Sequence, residues 1–233
     1  MTDANTRAFI FDMDGTLVDN MAFHTRAWQQ MLAEQGVEMD AVEFMVKTAG
    51  KTSREILPKV FDGISDERVI ELSKRKEDLY REAFLAQRKT VAGVVEFLEA
   101  SQKLGIKMAV ATAAPNGNVD FILDGLDLRK YFQAVTTGAD ITNGKPDPEI
   151  FLTSAAKLGV EPENCIVFED AINGFEAAKR AKMVAIGITT VNSAEEMLKL
   201  DLVAEAHADF GDLDPADLIE RYHPYTARKS NEE

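Results

Sequence analysis

The chain has 233 residues, 40 acidic and 26 basic, with a formal charge of −14, which leaves room for a core domain plus a smaller one. That acidity argues against nucleic-acid or anionic-membrane partners, and the single cysteine, Cys165, rules out an internal disulfide framework and fits a reducing compartment. No apolar stretch approaches transmembrane length and Met1 to Arg7 is polar, unlike a signal peptide, so a soluble cytoplasmic protein is expected.

The first element is a short apolar strand, Ala8 to Phe11, and it runs directly into Asp12-Met13-Asp14-Gly15-Thr16. On an extended backbone, side chains two apart point the same way, so Asp12 and Asp14 can converge on one volume. Gly15 then permits a sharp turn and a close backbone approach to a ligand. Two converging carboxylates repel unless a cation or a shared proton relieves them. Oxygen ligands of this kind suit Mg²⁺, which keeps positions for water and substrate phosphate. A Ca²⁺ loop of the EF-hand type needs Gly and Glu at its sixth and twelfth positions. Counted from Asp12, those positions hold Leu17 and Phe23, so that reading fails. A capped strand end with solvated acids would suffice for an isolated Asp-x-Asp, and only the rest of the chain decides against it.

The segment from Met21 to Arg88 is too long for an ordinary crossover and reads as a helical module. Phe23, Ala27 and Met31 form one stripe, and His24, Trp28 and Leu32 another. Asp66 to Ala86 is a charged amphipathic segment with Leu72, Leu79 and Phe84 on its apolar side. Further strand-like runs follow at Lys107 to Ala111, Ala134 to Thr137, Cys165 to Phe168 and Met183 to Ile188, with helical segments between them. This alternation predicts an α/β fold with a doubly wound parallel sheet, whose ligands bind beyond the carboxyl ends of the strands. Cys165 lies in an apolar run and reads as a small core residue. Tyr222 to Glu233 is polar and reads as a frayed tail.

Chemistry-bearing residues cluster at the ends of these strands. Thr112 offers a hydroxyl and nearby backbone N–H groups to phosphate oxygens. Lys145, in Gly144-Lys145-Pro146-Asp147-Pro148, offers a point positive charge, which before a proline reads on its own as solvated. Glu169-Asp170 closes a buried strand, where an acidic pair is costly without a cation.

Four motifs in this order resemble those of the haloacid dehalogenase-like superfamily: Asp12 to Asp19; the strand ending at Thr112 with Ala113-Ala114-Pro115-Asn116-Gly117; Gly144 to Phe151; and Cys165 to Ala171 with Asn173-Gly174. The resemblance implies a Rossmann-like core formed by residues 1–20 and 89–233 and an inserted helical cap domain over residues 21–88. It further implies Asp12 as nucleophile, Asp14 as general acid and base, Thr112 and Lys145 as the remaining catalytic residues, and Mg²⁺ at Asp12, Asp14, Glu169 and Asp170. Asp14 separates the chain from metal-free dehalogenases, and from phosphonate-cleaving members, which carry a small residue there.

Within the superfamily the chain is most similar to the β-phosphoglucomutase-like group, through His24, Trp28, the loop Gly50-Lys51-Thr52-Ser53-Arg54-Glu55, Lys74-Arg75-Lys76 and the core motifs. The substrate-binding residues so implied are Gly15, His24, Gly50, Lys51, Arg54, Lys76, Ala113 and Asn116. A mutase of this group holds a second phosphate with a cap-loop arginine and a Ser-Lys-Asn run. Here that run is Ala114-Pro115-Asn116, and aligning on Gly50 puts Ser53 at the arginine position, although a one-residue shift restores Arg54. A lost charged contact costs roughly 1.5–3 kcal/mol. The expectation is therefore a monomeric, Mg²⁺-dependent phosphatase acting on a small phosphorylated metabolite. A β-phosphoglucomutase-type phosphosugar mutase is the alternative, followed by a pyrophosphatase or phosphoglycolate-type phosphatase and a non-catalytic phosphate-binding regulator.

Overall fold

A computed structural model describes residues 6–48 and 51–222 of the chain. The opening strand β1 (Ala8–Phe11) is followed by four helices, α1 (Met21–Glu34), α2 (Ala41–Thr48), α3 (Ser53–Val60) and α4 (Asp66–Phe84). Strands and helices then alternate: α5 (Val94–Lys103), β2 (Lys107–Ala111), α6 (Asn116–Leu123), β3 (Ala134–Thr136), α7 (Glu149–Leu158), β4 (Cys165–Glu169), α8 (Ile172–Arg180), β5 (Val184–Ile188), α9 (Ala194–Lys199), β6 (Glu205–His207) and α10 (Pro215–Tyr222). The strands form one sheet in the order β3-β2-β1-β4-β5-β6, with every pairing parallel. This is the doubly wound arrangement expected of the sequence. The strand order reverses at β1, which pairs with both β2 and β4, so the crevice for a ligand lies beyond the carboxyl ends of these three strands.

Both faces of the central strands are buried, which is why β1 and β4 read as continuous apolar runs. On one face Phe9, Phe11, Phe97, Phe168 and Phe210 form an aromatic cluster, with Phe11 stacked on Phe168 at 4.7 Å. On the other, Ile10, Val167 and Cys165 pack with Ile150, Phe151 and Phe175 of α7 and α8. Cys165 is a core residue as expected, and burial pushes its thiol up to about 12.

The helical insert has its own apolar seam. Trp28, Met31 and Leu32 of α1 are buried in one cluster with Val69, Leu72, Leu79 and Tyr80 of α4. Start signals set the helix limits: Glu55 accepts from the Thr52 backbone N–H at 2.7 Å before α3, and Ser65 Oγ accepts from Arg68 N before α4.

The structure departs from the sequence reading at two places. A sixth strand, β6, extends the sheet, and Tyr222 belongs to α10 rather than to a frayed tail. Its hydroxyl and the Arg221 guanidinium both bond Glu205 of β6; residues 223–233 lie outside the described part.

Gly93 starts α5 with φ +76°, and a Cβ there would come within 2.5 Å of the Gly211 backbone nitrogen. Backbone cannot move aside as a flexible side chain would. Gly93→Ala is expected to cost about 2 kcal/mol. In thermal unfolding that corresponds to a midpoint lower by roughly 4–8 °C.

Candidate active site

The carboxyl ends of β1, β2 and β4 deliver the strand-end residues to one place. Asp12 follows β1, and its backbone N–H donates to Phe168 O at 2.9 Å, fixing it beside β4. Gly15 turns the chain with φ +88°, and a Cβ at this position would overlap the Asp170 carboxylate. Thr112 follows β2, fully buried, with its N–H on Thr136 O and its Oγ1 accepting from Ala114 N at 3.1 Å. Lys145 enters from the loop between β3 and α7. Its buried ammonium donates to Asp12 Oδ1 at 2.5 Å and to Glu169 Oε1 at 3.2 Å.

Asp12, Glu169 and Asp170 bring one carboxylate oxygen each within 4.8 Å of the others, and all three residues are buried. Burial, ahead of the opposing Lys145 charge, raises Asp12; burial and mutual repulsion push Glu169 up to about 8 and Asp170 well above its ordinary value. Lys145 responds in the opposite sense: burial disfavours its charge, but Asp12 and Glu169 outweigh that and raise it. Glu169 Oε2 is buried with no hydrogen-bond partner among the described residues. An acidic trio with an unsatisfied buried oxygen fits a divalent cation.

Asp14 does not bring its carboxylate into that trio, contrary to the expected ligand set. β1 ends at Phe11, so the alternation that would align Asp14 with Asp12 stops before Asp14 is reached. The chain has already turned, and the Asp14 carboxylate faces α1. Asn20 Nδ2 donates to Asp14 Oδ1 at 2.6 Å, and His24 Nε2 lies 3.3 Å from the same oxygen. Lys76 Nζ, which can only donate, is 2.8 Å from His24 Nδ1. Nδ1 is therefore the acceptor, and Nε2 carries the proton presented to Asp14. Burial pushes the Asp14 carboxyl up, but His24 and Asn20 outweigh this and hold it below its ordinary value.

A cavity of about 610 Å³ joins the trio to the insert. It is lined by the expected Asp12, Asp14, Thr112, Ala113, Asn116, Lys145, Glu169 and Asp170, and from the insert by His24, Lys51, Arg54 and Lys76. Gly15 shapes the turn beneath and does not line the cavity; Gly50 lies outside the described residues. Arg54 is exposed, and Lys51 donates to Lys47 O at 2.7 Å. Sequence reasoning missed Ser73, Glu77 and Asn118, which also line the cavity. Glu77 sits in the run Lys74-Arg75-Lys76-Glu77-Asp78 and reads there as solvated. Its position four residues after Ser73 and three before Tyr80, on the inner face of α4, was the available signal.

A family model of the haloacid dehalogenase-like hydrolases matches residues 6–182. The chain belongs to this family. Among haloacid dehalogenase-like relatives, a phosphorylated carbohydrates phosphatase from Thermotoga maritima is 34% identical over 200 residues, covering 84% of this chain and 92% of its own. A fructose-1-phosphate phosphatase from Escherichia coli is 32% identical over 190 residues, with coverage of 77% and 94%. In structure, a β-phosphoglucomutase from Clostridium difficile superposes with a TM-score of 0.81 at 26% identity, covering 93% of this chain and 97% of that one.

The acidic trio of this haloacid dehalogenase-like hydrolase makes stability depend on pH. The Glu169 carboxyl binds its proton more tightly in the folded chain, about 8 against an ordinary 4.5. It therefore favours the folded state at low pH and loses that advantage as pH rises from 4.5 towards 8. Removing Lys145 enlarges the shift. In chelator, Lys145→Met is expected to cost little at pH 5 and about 3 kcal/mol at pH 8, measured by urea unfolding at both values.

Proposed function

We propose that the protein is a phosphatase that hydrolyses the monophosphate ester of a small sugar or polyol, with Asp12 as nucleophile and Mg²⁺ as its metal. The observation that carries this reading is one cavity lined by Asp12 and Lys145, which bond each other, and by the separately bonded Asp14. The sugar-phosphate activities of the relatives support the substrate class.

Asp12, Glu169 and Asp170 are the residues that would hold Mg²⁺, which when bound neutralises charge on the nucleophile and the phosphoryl oxygens. The Lys145 ammonium opposes the effect of burial, favouring the ionised form of Asp12, and orients it. A carboxylate oxygen of Asp12 attacks phosphorus, the phosphorus–oxygen ester bond breaks, and phospho-Asp12 forms. Thr112, with the backbone around Ala113 and Ala114, holds non-bridging oxygens. The departing oxygen takes a proton from Asp14. Water then attacks phosphorus and gives a proton back to Asp14, releasing inorganic phosphate and regenerating Asp12. The hydrogen bonds that keep Asp14 ionised suit the second half. In the first half, the arriving phosphate charge raises its proton affinity.

Residues 21–88 serve in this reading as a cap. The Glu55 carboxylate accepts from Gly144 N at 3.2 Å, Arg81 donates to Asn118 Oδ1 at 2.7 Å, and Arg88 donates to Phe121 O at 2.5 Å, so the insert rests on the core through polar contacts around the cavity. Closure of this kind excludes water until the phosphoryl group has transferred. Transfer to water is favoured over mutase chemistry because Ala114 and Pro115 offer no side-chain donor to a second phosphate.

Phosphate release from a panel of sugar monophosphates with Mg²⁺ or EDTA tests the reading. Asp12→Asn is expected to lower kcat by at least roughly 10³-fold, and normal turnover by this variant would sink the mechanism. Asp14→Asn should lower kcat by about 10²–10⁴-fold on alkyl esters and far less on p-nitrophenyl phosphate, whose leaving group departs without a proton.

A further inference from the structure

The part of the cavity wall that α4 provides contains a buried ion pair whose carboxylate, Glu77, has no part in the steps above. Lys76 and Glu77 are 5% and 7% exposed and both line the cavity. Lys76 Nζ donates to Glu77 Oε1 at 2.9 Å as well as to His24. Glu77 Oε2 accepts from Asn118 Nδ2 at 2.6 Å, so the carboxylate is held from both the insert and the core. One turn earlier on α4, the buried Ser73 Oγ lines the same cavity without a hydrogen-bond partner among the described residues. Trp28 adds an apolar surface.

We infer that Glu77 is a specificity-determining residue: by cancelling the Lys76 charge it makes this wall select an uncharged, polyhydroxylated leaving group and turn away one that bears a second phosphate. The inference rests on the phosphatase reading above. An unpaired ammonium buried in a low-dielectric wall would be a strong anion site. Paired with Glu77 at 2.9 Å, with His24 taking another of its protons, Lys76 has little charge left to offer. A second phosphate would instead meet the Glu77 carboxylate. Hydroxyl groups donate and accept, so they can satisfy both the carboxylate and Ser73 Oγ. The other insert cations lining the cavity are Arg54, exposed to water, and Lys51, engaged by Lys47 O. Both are poor replacements, because the exposed Arg54 charge is screened by water and the Lys51 ammonium is turned to Lys47 O.

The test is calorimetric binding of fructose 1-phosphate and fructose 1,6-bisphosphate with Mg²⁺, in an Asp12→Asn background so that neither ligand is consumed. That parent should bind the monophosphate at least tenfold more tightly. Adding Glu77→Gln should shift the ratio at least tenfold towards the bisphosphate, about 1.4 kcal/mol. Lys76→Gln should shift it the other way, and the double variant Lys76→Gln/Glu77→Gln should return near the parent. The opposite signs separate a charge effect from damage to packing, and Lys76→Gln carries the test if Glu77→Gln does not fold. Equal affinity of the parent for both ligands, or a ratio that stays within twofold in both single variants, would overturn the inference. Steady-state kinetics with Asp12 intact reads the same point: Glu77→Gln should lower KM for the bisphosphate more than it changes kcat. Absence of hydrolysis of any monoester would count against the phosphatase reading, whereas the binding ratio would still report on Glu77.

Discussion

Three carboxylates buried beside one another at a sheet edge repel, and in this protein the Lys145 ammonium is the protein group that relieves them. The loop that carries Lys145 is accordingly tied down on all sides. Glu149 accepts from the N–H groups of Thr142 and Asn143, Asp147 from that of Glu149, and Arg180 donates to Pro146 O. The ammonium also lies 5.0 Å from the centroid of the Phe151 ring. A flexible lysine becomes a fixed point charge only because so many groups hold its backbone. The charge that remains on the trio is what gives a divalent cation its place.

Sheet topology explains why these groups meet at all. Asp12, Thr112 and Glu169-Asp170 lie 57 or more residues apart in pairs along the chain, yet β2, β1 and β4 are adjacent and parallel. Parallel pairing aligns their carboxyl ends, so residues that follow strands share one edge of the sheet. Gly15 is required for the same reason: the turn after β1 passes so close to Asp170 that no side chain fits.

Much of this was legible from the sequence because burial on both sheet faces leaves uninterrupted apolar runs. Ala8–Phe11 and Lys107–Ala111 match their expected limits. β6 escaped because Glu205–His207 is three residues long, half-buried and charged at one end. The orientation of Asp14 escaped for a different reason: period-two reasoning holds only while the strand continues, and the strand ends before Asp14. Glu77 was hidden by its neighbours. A charged run on a helix ordinarily faces water, and only the approach of Asn118 from α6 turns this stretch of α4 into cavity wall. The contact with Asn118 itself left no mark along the chain, and the helical spacing of Glu77 from Ser73 and Tyr80 was the one trace of its inward position.

The two reactive aspartates therefore depend on different parts of the molecule. Asp12 is positioned by the core alone, through Phe168 O and Lys145. Asp14 is positioned by the start of α1, and α1 is in turn held by α4: Lys76 bonds His24, and the Tyr80 hydroxyl accepts from Asn20 at 2.6 Å. The same helix carries Glu77, so the residues that hold α1 in place and the residue proposed to face the leaving group lie on one element. Displacement of the insert changes the surroundings of Asp14 directly and reaches the Asp12–Lys145 pair through the Glu55 contact to Gly144 N. In the proposed mechanism, proton transfer and recognition of the leaving group thus share a single structural element, on which the proposed nucleophile Asp12 does not depend. A ligand that fits the wall of α4 poorly would be expected to disturb the proton chemistry before it disturbs phosphate capture.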